Sequence, residues 1–222
     1  MVMSGKHVHV SSLVDPERIS HEEFERVIES APDAIDDCIY TRCVEEFSRM
    51  RLDQPDESLE RVLTPFLFTW GGMRRVLGDR GLRVAIEAMK ETSRDIEPLR
   101  DKGLSNMDLE RIDKVIVDLF DAICNKRFRN KKGRLKTVGS TAASKLLHLA
   151  CPDLFVMWDT KIRGGYGKSK GDGEDYFHFL LQMKGMIIRL QTTIDRLAGK
   201  YRKSKTKVLD EYNFVTCHRE RN

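Results

Sequence analysis

The chain has 222 residues, of which 40% are hydrophobic and 33% charged, and its formal net charge is +4. That length suits one domain with a sizeable core, or two small lobes. No apolar run approaches the ~20 residues of a membrane span, and so small a net charge does not by itself announce a nucleic-acid binder without a local concentration of cations.

The N-terminus lacks a continuous apolar core, so no signal peptide is expected and the chain is placed in the cytoplasm. Its five cysteines, Cys38, Cys43, Cys124, Cys151 and Cys217, include no CxxC pair. They form neither a disulfide framework nor a zinc ribbon, and most of them read as buried thiols.

Residues 1–19 read as an irregular or short extended lead, in which His7 and His9 alternate with Val8 and Val10. With no third ligand nearby, an edge strand or frayed terminus fits better than a metal site. Ser20 followed by Glu23 has the spacing of a capping box and starts a helix. Pro32 and Asp33 separate it from a second helix over 36–50. Gln54 to Ser58 is a turn, and Ser58 caps a helix that Pro65 bends and that Gly71 and Gly72 break again. A turn at 78–81 precedes a helix from Leu82 to about Lys102. Leu109, Ile112, Val115, Ile116, Leu119 and Phe120 then form a core-facing stripe on a helix over 108–124.

The segment from Lys126 to Lys136 carries seven cations and no acid. It reads as a basic connector that Phe128 and Leu135 anchor to the core while the cations face outward. Neutralising phosphates there would give salt-sensitive, largely sequence-independent affinity. A solvated loop is the plain alternative.

The segment from Val138 to Gly167 is the most informative. A Val-Gly turn opens a helix over 139–151. Small residues Ala142, Ala143 and Ser144 permit close backbone approach, and Leu146, Leu147 and Leu149 give the helix an apolar stripe. Phe155, Val156, Met157 and Trp158 then deliver Asp159 and Thr160 to the start of a short helix. An acid there sits at the positive end of a helix dipole, as a cleft-facing carboxylate or simply as an N-cap. Residues 164–173 read as an exposed, flexible turn. A long amphipathic helix follows over 174–201, and a short mixed C-terminal segment docks back on the core through Val208, Leu209, Tyr212 and Phe214.

This segment resembles the core of the helix-hairpin-helix DNA glycosylase superfamily, the endonuclease III-like base-excision enzymes. The match covers roughly 30 residues and rests on Val138, Gly139, Ala143, Asp159, Thr160 and Ile162, with Gly139 and Asp159 20 positions apart. Two features depart from the family pattern. The Leu-Pro-Gly part of the hairpin is replaced by Leu135-Lys136-Thr137, and the lysine of bifunctional members is replaced by Thr141. The iron–sulfur cysteine cluster of some members has no counterpart. Spacing does not decide whether Lys136 or Lys145 supplies the missing amine.

The resemblance implies an all-α fold of two helical lobes with a cleft between them, a single globular protein over 1–222 with a hairpin-like core at 126–170. It implies a partner, double-stranded DNA with a flipped base, and monofunctional hydrolysis of an N-glycosidic bond. Asp159 would be the electrostatic and water-activating acid. Lys131, Lys132, Arg134, Lys136, Gly139, Lys145, Lys161 and Arg163 are the candidate backbone contacts, and Trp158 and Tyr166 the candidate base pocket. A helical lysine such as Lys145 is ordinarily solvated, and His148 three positions on reads as a packed histidine. With no GxGxxG, GxxxxGK[ST], HExxH or GxSxG motif, no metal or cofactor is expected. Two other classes stay open: a non-catalytic nucleic-acid-binding or regulatory protein on the same scaffold, and a helical interaction protein with no nucleic acid.

Overall fold

Helix α1, His21–Glu29, begins where the capping box places it: the Ser20 hydroxyl accepts from the Glu23 N–H at 3.1 Å. The computed structural model describes residues 14–30, 37–51 and 58–218, so the expectations for His7, His9, Pro32 and the turn before Ser58 fall outside the described residues. Of the lead, Val14 and Ile19 are buried, and the Val14 N–H donates to the Gly165 carbonyl at 3.1 Å.

Helix α2 is Asp37–Ser48 and α3 is Ser58–Thr64. Pro65 has no N–H to give to the preceding turn, and the chain widens there into a π-helical turn, Pro65–Trp70, closed by the Gly71 N–H on the Phe66 carbonyl at 2.7 Å. Helix α4, Arg74–Glu91, is interrupted at Gly78 (φ +56°), close to the expected turn. It does not run on to Lys102. The Thr92 hydroxyl bonds back to the Ala88 carbonyl at 2.8 Å, after which α5, Ser93–Ile96, passes into a 3₁₀ turn that contains Pro98. Helix α6 is Asp113–Cys124; Ile116, Leu119 and Phe120 point inward, but Val115 is exposed.

The basic segment is not a loop. It forms an antiparallel ribbon of β1, Arg127–Arg129, and β2, Leu135–Thr137, with Phe128 opposite Lys136. Helices α7, Ser140–Ala150, and α8, Thr160–Gly165, follow. The expected long helix is two, α9, Gly173–Arg189, and α10, Gln191–Tyr201, parted at Leu190. The expected exposed turn before α9 is so only in part: Gly164, Gly167, Ser169 and Lys170 are exposed, while Gly165, Tyr166, Gly171 and Gly173 are buried. Helix α11, Lys205–His218, docks through Val208, Leu209 and Tyr212, while Phe214 stays exposed.

The fold is thus all-α apart from one ribbon among the described residues. Helix α6 packs on α7 and α9, α2 on α7 and the π-helical turn, and α11 on α1, α8 and α10. The buried apolar side chains form one connected core from Val14 to Tyr212, so the two expected lobes do not have separate cores. No helix among the described residues is long and apolar enough to cross a membrane.

Candidate nucleic-acid interface and acid site

The ribbon leaves the end of α6 and returns to the start of α7. Two backbone bonds tie its base shut: the Gly139 N–H donates to the Cys124 carbonyl at 3.0 Å and the Val138 N–H to the Lys126 carbonyl at 2.9 Å. Two helices therefore meet through a tight junction, with an extended ribbon in place of a compact hairpin. Gly139 holds φ +83° and caps α7 without a side chain, leaving the first N–H groups of that helix without a side-chain acceptor. Phe128 is 5% exposed and presses on Gly81 of α4, so one face of the ribbon lies against the protein. Leu135, expected as a second anchor, is 55% exposed. Lys131, Lys132, Arg134 and Lys136 are all exposed, as expected; of these Lys131 meets Asp79 at 3.8 Å.

Asp159 is held from α7. The Ser144 hydroxyl accepts from the Trp158 N–H at 3.2 Å and lies 3.1 Å from the Trp158 carbonyl, and the Trp158 indole donates to the Ser140 carbonyl at 3.3 Å. The next residue is Asp159, whose carboxylate takes the N-cap role considered for it and also meets a histidine. Its Oδ1 caps α8 by accepting from the Ile162 N–H at 2.9 Å, and its Oδ2 meets His218 Nε2 at 2.6 Å. The two side chains remain 28% and 24% exposed respectively, so solvent reaches the pair. His218 arrives from the end of α11, stacked on Phe214 with 4.3 Å between ring centroids. Arg163 is half-buried and donates to the Ser140 hydroxyl at 3.2 Å, joining α8 to the first turn of α7; Lys161 is exposed.

Lys145 departs from its expected solvated state. It is partly buried, with Nζ 4.7 Å from the centre of the Trp70 ring. Lys207 of α11 lies 5.3 Å from the same ring and 5.3 Å from that of Tyr40. Lys207 is 1% exposed and is compensated by Asp210 at 3.2 Å and Glu211 at 3.1 Å. Burial pushes the Lys145 amine below the ordinary lysine value; Asp210 and Asp159 oppose this, and Lys207 adds to it. An indole face stabilises such cations where carboxylates do not reach. His148 is the packed histidine expected. It is fully buried, with Nε2 at 2.7 Å from the Tyr40 hydroxyl and Nδ1 at 2.7 Å from the Phe155 carbonyl.

The two residues expected to form a base pocket are corrected by their burial. Trp158 is 1% exposed and is enclosed by Phe120, Tyr176 and Phe179, with ring centroids 5.0–5.8 Å away. Tyr166 is also buried and donates its hydroxyl to Asn213 Oδ1 at 2.6 Å. Neither presents a free ring face. The half-exposed aromatic beside the ionic cluster is Trp70, whose indole N–H has no hydrogen-bond partner among the described residues.

Four residues of this region were not singled out from sequence: His218, Lys207, Asp210 and Glu211. They lie near the C-terminus, 48 or more positions beyond Asp159. Only the apolar residues of the last segment, which announce that it docks, gave a signal. No family model, no curated protein and no solved structure matches this chain.

Proposed function

We propose that the protein binds duplex DNA through the ribbon and the start of α7, and removes a base by hydrolysing its N-glycosidic bond at Asp159. The observation that carries this reading is the Asp159 carboxylate, fixed by Ile162 N–H and His218, still open to solvent, and tied by Trp158 and Arg163 to the helix start from which the acid-free ribbon projects. Cleavage of a glycosidic bond builds positive charge on the sugar, and a fixed carboxylate stabilises that charge without reorganising. The oxygen of water bonds to the sugar carbon as the carbon–nitrogen bond breaks. The proton released by water passes to the Asp159–His218 pair, and the departing base takes up a proton from solvent. Trp70, partly exposed but stacked on Phe66 and beside Lys145, would meet an extruded base at its edge rather than across a free face. Burial and the neighbouring Lys207 make Lys145 a candidate amine in the same region.

A panel of duplexes carrying damaged bases tests this. The wild-type chain is expected to release one class of base, and Asp159→Asn to bind that duplex unchanged while losing about 100-fold or more in rate. Resolving the products without alkali separates hydrolysis, which leaves an abasic strand intact, from amine chemistry at Lys145, which nicks it. Release of no base from any duplex that binds would overturn the catalytic part and leave a non-catalytic DNA-binding protein.

A further inference from the structure

Residues directly opposite in an antiparallel pair share a face, and neighbours along a strand alternate. The register pairs Arg127 with Thr137, Phe128 with Lys136, and Arg129 with Leu135. Phe128 turns its face of the ribbon toward Gly81 of α4. Arg127, Arg129, Leu135 and Thr137 therefore share the other, outward face, and all four are exposed. A leucine directly across from Arg129 and 55% exposed contributes little to the core. From this geometry we infer that the outward face enters a groove of duplex DNA, with Arg127 and Arg129 on the phosphates and Leu135 against sugar and base edges.

The inference rests on the DNA-binding part of the proposed function and adds to it a specific face and an apolar contact. A major groove about 12 Å wide admits a two-stranded ribbon. Its phosphate rims are anionic and its floor offers apolar edges, which matches two arginines on one strand and a leucine on the other. An anionic membrane needs a broader apolar face than a single side chain provides. The ribbon is also braced for such a load. Arg80 of α4 lies 3.4 Å from the carbonyls of Arg129 and Asn130, Arg129 spends one N–H on the Gly133 carbonyl at 3.0 Å, and the Asn130 carboxamide accepts from the N–H groups of Lys132 and Arg134. Among the described residues the remaining guanidinium donors of Arg129 have no partner and are open to a phosphate.

The test is fluorescence anisotropy of the full chain on a short labelled duplex between about 50 and 200 mM salt. Arg127→Gln with Arg129→Gln is expected to lower the slope of log affinity against log salt by about two. Leu135→Ser is expected to weaken binding about tenfold with the slope unchanged. A wild-type protein that binds with a steep slope while both variants match it would overturn the inference and leave DNA binding to another surface. Absence of any duplex binding by wild type removes the inference and the proposed function together. Binding to vesicles containing phosphatidylserine that Leu135→Ser abolishes, with duplex binding unaltered, reassigns the face to a membrane and likewise overturns it.

Discussion

Hydrogen bonding around His148 fixes its protonation as well as its position. The Phe155 carbonyl can only accept, so Nδ1 carries the proton, and the lone pair of Nε2 takes the Tyr40 hydroxyl. Burial, reinforced by Lys207 and Lys145, brings its pKa down to about 3, although the bond to the Phe155 carbonyl works in the opposite direction. The consequence for stability has a definite sign. Unfolded, the imidazole titrates near 6.5. Between that value and about 3 the unfolded chain binds a proton that the folded chain does not. Stability is therefore complete above pH 6.5 and declines by about 1.4 kcal/mol per pH unit below it, from this residue alone. His148→Gln keeps a donor and an acceptor but does not titrate. Urea unfolding at pH 6.5 and 4.5 should show the variant losing less stability over that interval than wild type. Equal losses would mean that another group sets the acid limit.

At the scale of elements, the tightest glycine contact with another backbone among the described residues is at the start of α9. The Gly173 N–H donates to Asp121 Oδ1 of α6 at 2.8 Å, and a β-carbon at Gly173 would stand 2.6 Å from the Val117 carbonyl oxygen. A carbonyl inside α6 cannot move aside without breaking its own helix. Gly173→Ala is accordingly expected to cost about 1–3 kcal/mol and to lower the thermal midpoint by roughly 2–4 °C per kcal/mol, measurable by circular dichroism. An unchanged midpoint would show that α9 slides freely on α6. The elements themselves were legible to different degrees. Helix starts with side-chain signals, Ser20 and Asp159, stand where the sequence puts them, because an N-cap is a local bond between residues three apart. The ribbon was not legible. Three-residue strands are too short to display a period of two, and their exposed leucine mimics an anchor. The break at Leu190 has no proline or glycine to mark it and is set by packing. The site was legible only on its first side: Asp159 and the cations lie within 126–163, whereas His218 and Lys207 reach it through α11, whose apolar residues announce that it docks but not where.

On the scale of the whole molecule, the first described helix closes on the last two, α10 and α11. Phe24 of α1 stacks on Tyr212 of α11 with 4.6 Å between centroids, His21 Nδ1 meets the Thr193 hydroxyl at 2.7 Å, and Lys200 pairs with Glu29 at 2.8 Å. The same α11 carries Lys207 to Trp70 and His218 to Asp159, so the acid site exists only when α11 is docked. A core that is continuous from Val14 to Tyr212 leaves no seam along which one part can melt alone. The two tryptophans report on this from different neighbourhoods. Trp70 stacks on Phe66 at 5.1 Å beside Tyr40, while Trp158 lies among Phe120, Tyr176 and Phe179. Each single-tryptophan protein, made by Trp158→Phe or Trp70→Phe, is to be compared with its own far-ultraviolet circular dichroism. In each, the fluorescence and circular dichroism midpoints in urea should coincide. Midpoints that separate in either protein would restore two cooperative lobes, and would make the region between Trp70 and Asp159 a boundary able to open for a base without global unfolding.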